Sequence, residues 1–152
     1  MFELINSIET NAASGRAKGW ASVPADIPFL ADHFPGAPLL PGSLLIELAA
    51  QIAGPLSEEI INSRLGLERW AMLGMIRDAK FLRHTRLPAT LLIRAEVRRV
   101  EASNVIVQVE AEANEAQVLR AELWMLMVEA VPEWAEAIIA RRERVARWKG
   151  AA

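Results

Sequence analysis

Apolar and polar residues alternate along the second half of the chain, and this alternation predicts strands with one buried face. Residues 105–113 place Val or Ala at every second position, and residues 119–127 do the same with Leu, Ala and Met. Asn114-Glu115 lies between these runs and suits a hairpin turn. Two more strands are predicted at residues 91–100 and 72–83, and a hairpin at residues 4–23 around a loop-forming segment.

The apolar spacing changes to that of a helix at residues 42–64. Glu47 is the single charged residue of this segment before Glu58, so the helix should be buried on nearly all sides. Proline cannot donate a backbone hydrogen bond, so Gly54-Pro55 predicts a break or kink, before a second piece that stops at Gly66. The pattern predicts an α+β fold, with a long central helix against an antiparallel sheet.

Two further segments flank this core. Residues 24–41 contain five prolines, which predict a stiff, extended loop that can hold a side chain in place. Near the C-terminus, Pro132 suits a first helical position, and a stripe of larger side chains follows it. We therefore predict one domain at residues 1–130 and an amphipathic helical extension at residues 131–152, packed on the sheet or on a neighbouring subunit.

Composition narrows the possible functions. The chain has 152 residues, 53% of them hydrophobic, and a formal net charge of −2, which suits one domain with some apolar surface left for a subunit interface. It lacks the basic surplus that nucleic-acid binding requires. No signal peptide or membrane-spanning run is recognisable, so a cytoplasmic protein is expected. With no cysteine and two histidines, disulfides, thiolate nucleophiles and a metal site are not expected.

Acid–base chemistry is concentrated in residues 32–51. His33 lies on the proline-rich loop, and histidine titrates near neutral pH, so it is the candidate base. Glu47 lies among Leu and Ala of the helix, where desolvation would keep its carboxyl group protonated as a general acid. The unpaired N–H groups of Gly42 and Ser43, at the helix N-terminus, could form an oxyanion hole. Base, acid and oxyanion donor together suit proton removal beside a thioester carbonyl.

Plainer interpretations of these residues remain open. A lone loop histidine is more often structural than catalytic, and Glu47 could instead form a salt bridge with a neighbouring Arg. Gln51, one helical turn after Glu47, either orients that carboxyl group or satisfies a backbone carbonyl. His84 is expected to be structural.

The segment His-Phe-Pro-Gly-x-Pro-x-x-Pro-Gly, here His33 to Gly42, is followed by Glu47, fourteen residues after the His, and then by Gln51. This pattern resembles the FabZ-type 3-hydroxyacyl-[acyl-carrier-protein] dehydratases of the FabA/FabZ family. The basic and aromatic residues at 76–83 are similar to a strand of that family. Glu47 in place of Asp favours the FabZ branch over the FabA branch, which also isomerises the double bond.

The resemblance implies a hot-dog fold and a homodimer in which His33 of one subunit meets Glu47 of the other, with further assembly into hexamers in some members. Gly42 would donate its N–H to the thioester carbonyl, and the acyl chain would lie in a tunnel. No cofactor is expected beyond the phosphopantetheine of an acyl carrier protein, or coenzyme A, that carries the substrate. The predicted oxyanion and substrate-binding residues are Gly42, Ser43, Phe34 and Gln51.

Several basic residues are candidates for contact with the carrier or its pantetheine phosphate: Arg77, Lys80, Arg83 and Arg86. The tail adds Arg141, Arg142, Arg144 and Arg147. A solvated charged face is the plainer interpretation for most of them.

Departures from the family pattern indicate a specialised relative. Asp32 precedes the histidine where a small residue is usual, residues 88–90 replace the usual Pro-Gly-Asp turn, and the tail is an addition. The expected reaction is dehydration of a 3-hydroxyacyl thioester to the trans-2-enoyl thioester, in fatty acid, polyketide or polyene synthesis. The alternatives are a thioesterase in which Glu47 activates water, and a non-catalytic acyl-binding or assembly subunit.

Overall fold

The computed structural model describes residues 3–150. In this part of the chain, six antiparallel strands form one sheet in the order β1-β2-β4-β5-β6-β3, so that β1 and β3 are its edges. The strands are β1 (Ile5–Asn11), β2 (Arg16–Val23), β3 (Trp70–Phe81), β4 (Ala89–Val100), β5 (Asn104–Ala113) and β6 (Ala116–Val128). All strands predicted from the alternation of residues are therefore confirmed.

Helix α1 (Gly42–Leu65) lies across one face of this sheet and contacts all six strands. Leu48, Ile52 and Ile60 of the helix are fully buried. At Gly19 of β2 a Cβ atom would overlap the Ile52 side chain of the helix, so a larger residue there would require that side chain to move. The predicted α+β architecture of a central helix on an antiparallel sheet is confirmed.

Both predicted hairpin turns are present. Asn114 and Glu115 have φ angles of 51° and 63°, which suits the two-residue loops that best match the twist of paired strands. Between β1 and β2, the Asn11 side chain accepts a hydrogen bond of 2.9 Å from the Ser14 N–H, and Gly15 has a φ of 69°.

The predicted break at Gly54-Pro55 is wrong, because α1 continues through both residues. A proline inside a helix removes one hydrogen bond and typically costs about 3 kcal/mol. Gly54 and Pro55 are buried here, and Ile52 and Leu56 beside them are fully buried, so apolar packing opposes this local cost. The predicted end of the helix is confirmed: Gly66 has a φ of 66°, and its N–H donates to the Asn62 carbonyl.

The expectation that α1 is buried on nearly all sides is confirmed for the part before Glu58, except along one stripe. Ser43 and Glu47 are exposed and Gln51 is half-buried. Residues four apart lie on the same side of a helix, so these three form one open stripe. The large number of apolar residues concealed this stripe in the sequence.

Helix α2 (Ala135–Trp148) follows a turn at Pro132–Trp134 and packs within the same chain. Ile138 and Trp148 are buried, and the Trp148 indole donates a hydrogen bond of 3.1 Å to Glu3, next to β1. The predicted amphipathic tail helix is thus present, on the first strand and the second half of α1. The boundary between residues 130 and 131 stays a prediction, and residues 1–2 and 151–152 lie outside the described part.

Candidate active site

The loop of residues 24–41 holds His33 at a sharp turn. A short 3-10 turn at Pro28–Leu30 precedes it, and the His33 N–H donates to the Leu30 carbonyl at 3.0 Å. Phe34 has a φ of 65°, a left-handed conformation that costs a side-chain-bearing residue about 1–2 kcal/mol. The rings of His33 and Phe34 lie 5.1 Å apart, so the strained turn presents the two together.

Hydrogen bonds fix the end of this loop against the segment that precedes β4. The Leu40 N–H donates to the Thr85 carbonyl at 2.8 Å, and the Leu87 N–H donates to the Pro38 carbonyl at 3.0 Å. Leu39 and Arg86 form a bridge of β type between these two bonds. This pairing sets where α1 begins.

The N-terminus of α1 carries no side-chain cap. Pro41 occupies the capping position, and its carbonyl accepts the N–H groups of Leu44 and Leu45, both at 3.1 Å. The first N–H groups of a helix have no partner inside the helix, so those of Gly42 and Ser43 can serve a ligand. The Phe81 ring covers Gly42, because a Cβ atom there would lie 2.8 Å from Cε1 of that ring.

Glu47 and Gln51 lie together on the open stripe of α1. The Gln51 amide Nε2 donates to Oε1 of Glu47 at 2.7 Å. The structure therefore favours the interpretation in which Gln51 orients the carboxyl group. The expected desolvation of Glu47 is wrong for the single chain, since this residue is exposed. No salt bridge to Glu47 occurs among residues 3–150.

His33 and Glu47 of one chain border a single open cavity of about 580 Å³. Its lining consists of Phe29, Leu30, Asp32, His33, Pro41, Ser43, Leu44 and Glu47. Three titratable side chains, Asp32, His33 and Glu47, therefore line one cavity beside the start of α1. Phe34 and Gln51 are not in the lining, but each contacts one member of the pair. The sharing of this pair between two subunits, which the resemblance implies, stays a prediction.

The basic residues near β3 differ in their surroundings. Arg77 lies 3.9 Å from Glu122 and over the Trp124 ring, on the face of the sheet away from α1. By contrast Arg86 is exposed and adjoins the loop that leads to α1. Lys80, Arg83 and His84 are also exposed. Arg86 is thus the best placed of the four candidates for a group that enters the cavity.

Most of the candidate arginines of the tail form ion pairs within the chain. Arg141 donates to both carboxylate oxygens of Glu58 at 2.7 Å, and Arg147 lies 3.2 Å from Glu3. Arg142 is mostly exposed and lies 4.0 Å from Glu68. These contacts make a structural role the better interpretation for Arg141 and Arg147.

Sequence reasoning missed three apolar residues of the site. Phe29 and Leu30 line the cavity, and Phe81 covers Gly42. Apolar side chains carry no chemical signature that separates them from core residues. Gly42 was the one available signal, because a glycine at a helix start can indicate that another group approaches closely.

Within residues 3–150, no helix is long and apolar enough to cross a membrane. The same residues include no cluster of three or more His, Asp or Glu side chains that could hold a metal ion.

Comparison with known proteins relates the site to a family. The model of the FabA-like domain matches residues 1–122. A protein of Natranaerobius thermophilus, named 3-hydroxyacyl-[acyl-carrier-protein] dehydratase FabZ, is 34% identical over 100 residues, or 66% of this chain and 68% of the relative. The protein of the same name from Chlamydia trachomatis serovar L2 is 34% identical over 66% of this chain and 65% of its own length. The one from Alkalilimnicola ehrlichii is 29% identical over 84% of this chain and 82% of the relative.

Solved structures share the fold. A chain of the dehydratase heterocomplex ApeI:P from Xenorhabdus doucetiae superimposes with a TM-score of 0.67, at 18% identity, over 90% of this chain and 89% of that one. A hypothetical thioesterase with coenzyme A from Streptococcus pneumoniae gives a TM-score of 0.57 at 18% identity, over 76% of this chain and 80% of that chain. At such identities the likeness concerns the fold alone.

Proposed function

Because the chain belongs to the FabA-like family, we propose that it is a dehydratase, which eliminates water from a 3-hydroxyacyl thioester to give the trans-2-enoyl thioester. The observation that carries this proposal is the cavity that both His33 and Glu47 line beside an uncapped helix N-terminus. A base, an acid and an oxyanion donor are the groups that such an elimination requires.

Each group has one role in the proposed reaction. The His33 imidazole removes the proton from C2 while the Gly42 N–H holds the thioester carbonyl and its developing negative charge. The Glu47 carboxyl group protonates the hydroxyl on C3, which leaves as water as the double bond forms. His33 ends protonated and Glu47 ionised, and a proton returns between them through solvent before the next turnover. Gln51 keeps the Glu47 carboxyl group oriented during this cycle.

We further propose that the chain works as a homodimer joined through β3. This edge strand has exposed apolar side chains along its length: Met72, Leu73, Met75 and Ile76. An exposed apolar edge strand is a ready template for another strand. A partner there would also cover the flank of α1 that carries Glu47.

The proposed substrate is carried by phosphopantetheine, on an acyl carrier protein or on coenzyme A, and the proposed place of reaction is the cytoplasm. Arg86 pairs with Leu39, two residues before Pro41 of the cavity lining, and Lys80 and Arg83 are exposed. Guanidinium groups bind phosphate through paired hydrogen bonds, so these residues would receive the carrier's phosphate or acidic surface. Arg77 is the weakest of the four candidates, because its guanidinium already contacts the Glu122 carboxylate and the Trp124 ring.

The decisive experiment compares His33→Ala and Glu47→Gln with the wild-type protein on a short 3-hydroxyacyl thioester, by the absorbance of the enoyl product. Loss of a general acid or base should lower kcat by about a hundred- to ten-thousand-fold. Asp26→Asn is the control, since Asp26 is exposed on the same loop and does not line the cavity. Wild-type rates in both site variants would refute the assignment.

A thioesterase is the second candidate, favoured by the exposure of Glu47 on an open cavity, where it could activate water. The same assay separates the two reactions if the free thiol and the free acid are measured beside the enoyl product. Tight acyl binding without either product would instead favour a non-catalytic acyl-binding subunit.

A further inference from the structure

The Arg141 side chain of α2 reaches α1 at Gly54 and lies against the helix there. A Cβ atom at Gly54 would lie 2.8 Å from Nη2 of Arg141. The guanidinium is held there from two sides, by both carboxylate oxygens of Glu58 at 2.7 Å and by the Trp70 ring, whose centroid lies 4.5 Å away. Glu58 also accepts the Ala71 N–H at 3.0 Å, so the cluster joins α2, α1 and the first residues of β3.

This cluster lies at the end of the open stripe of α1, which is the groove available to an acyl chain in the proposed reaction. Ser43 and Glu47 are exposed and Gln51 is half-buried, whereas Gly54, further along the same stripe, is buried. Gly54 lies seven residues after Glu47, a distance of about 10 Å at 1.5 Å per residue. The open part of the stripe therefore extends from the helix N-terminus to Arg141.

The proposed reaction sets the direction of the acyl chain in this groove. With the thioester carbonyl at Gly42 and C3 beside Glu47, the rest of the chain continues towards Gln51 and Gly54. An extended chain advances about 1.2 Å per bond, so about eight or nine carbon atoms fit between Glu47 and Arg141.

We propose that Arg141, supported by Glu58 and Trp70, closes the acyl groove and restricts the enzyme to 3-hydroxyacyl chains of up to about twelve carbon atoms. This inference rests on the proposed function and adds a specificity-determining residue to it. The guanidinium already has its carboxylate partner and its aromatic contact, so it acts as a wall and not as a binding site for a charged chain end. A longer chain would have to displace the whole cluster.

The test measures kcat/KM for pantetheine thioesters of straight 3-hydroxyacyl chains from butyryl to hexadecanoyl. In the wild-type protein, kcat/KM should rise with length up to about the dodecanoyl chain and then fall. Arg141→Ala opens the groove, so each further methylene group should be accepted and contribute about fourfold. The hexadecanoyl substrate should gain at least about tenfold over wild type.

Two further variants control for the loss of an arginine on α2 and for the Glu58 carboxylate that loses its partner. Arg142→Ala removes a neighbouring, mostly exposed arginine and should leave the length profile unchanged. Glu58→Gln combined with Arg141→Ala removes the carboxylate that the single variant leaves unpaired. This double variant should accept acyl chains as long as those that Arg141→Ala accepts. Short-chain rates report whether each variant is folded.

The outcomes separate this inference from the proposed function. If the wild-type protein forms no enoyl product from any chain, the proposed function is wrong. Enoyl formation with the same length profile in wild type and Arg141→Ala would overturn the role of Arg141 and leave the reaction standing. Loss of short-chain turnover in both Arg141 variants would show that the cluster supports the fold and does not limit the groove.

Discussion

The hydrogen bond from Gln51 to Glu47 is the most direct contact to a proposed catalytic group, and Gln51→Leu removes it. A typical hydrogen bond contributes about 0.5–1.5 kcal/mol, and this one is partly exposed, so kcat should fall about two- to tenfold with little change in KM. Steady-state kinetics on a short 3-hydroxyacyl thioester would measure this. Gln108→Leu, on β5 and outside the cavity lining, is the control. An unchanged kcat for Gln51→Leu would mean that Gln51 has no orienting role.

Gly42 is predicted to tolerate no side chain because of the Phe81 ring. In Gly42→Ala the new Cβ atom would lie 2.8 Å from the ring, so the ring or the helix N-terminus must move. Because displacement of an oxyanion donor costs about a hundred- to thousand-fold in kcat when complete, we expect a loss of at least about tenfold. Phe81→Leu in the same chain should recover part of this loss, as measured by kcat. An equal loss in the double variant would show that the substrate, and not Phe81, requires the glycine.

At the residue scale, the sequence singled out His33 and Glu47 as candidates, but it did not predict the surroundings of Glu47. His33 and Glu47 of the single chain border one cavity, whereas their catalytic roles and the sharing of the pair between two subunits stay predictions. The exposure of Glu47 was not predicted. It depends on which side of α1 the sheet covers, and the sheet is formed by strands distant along the chain.

At the scale of elements, strands and turns were predictable and the continuity of α1 was not. Alternating residues and the turn at Asn114-Glu115 act locally, so β5 and β6 were predicted within a few residues of their bounds. The effect of Pro55 depends on the packing around it. Its neighbours Ile52 and Leu56 are fully buried, and this long-range packing opposes a local tendency to break the helix.

The end of α2 offers a test by pH. Burial lowers the pKa of the Lys149 ammonium below its ordinary value of 10.5, and the attraction of Glu58 does not outweigh this effect. Lys149 also contacts Glu59 of α1. Between the lowered pKa and 10.5, the unfolded chain binds more protons at this site than the folded one, so the contribution of Lys149 to stability rises with pH.

Thermal unfolding of wild type and Lys149→Met, from neutral pH to pH 10.5, would measure this effect. The difference obtained by subtracting the Tm of the variant from the Tm of the wild type should increase as the pH rises. Lys80→Met, at an exposed position, is the control and should keep a constant difference from wild type. A wild-type Tm that falls relative to that of Lys149→Met as the pH rises would contradict the lowered pKa of Lys149.

For the whole molecule, the two edges of the sheet differ. The β1 edge is partly covered, since α2 packs beside it and Trp148 and Arg147 both contact Glu3. The β3 edge carries a row of exposed apolar side chains from Met72 to Ile76. Unpaired apolar edges favour association, so the asymmetry leaves β3 as the edge for a second subunit. Composition suggested an interface, but its location requires the strand order.

Ile76→Lys tests this arrangement. Ile76 is 43% exposed in the single chain, so a lysine there should be tolerated by the fold. In a symmetric dimer the change occurs twice. With about 1.5–3 kcal/mol lost for each buried isoleucine, the dimer should weaken at least about a hundredfold. Light scattering across a concentration series should show a wild-type dimer and a variant monomer, and circular dichroism should show the same helix and strand content.

The control for this prediction is Ile139→Lys, since Ile139 is 57% exposed but lies on α2 and should leave the dimer intact. Enoyl formation should fall with the dimer in Ile76→Lys, because the proposed partner covers the flank of α1 that carries Glu47. A wild-type mass equal to one chain at every concentration would exclude the homodimer. A monomeric variant with the full wild-type rate would show that His33 and Glu47 of one chain, which already share a cavity, complete the site without a second subunit.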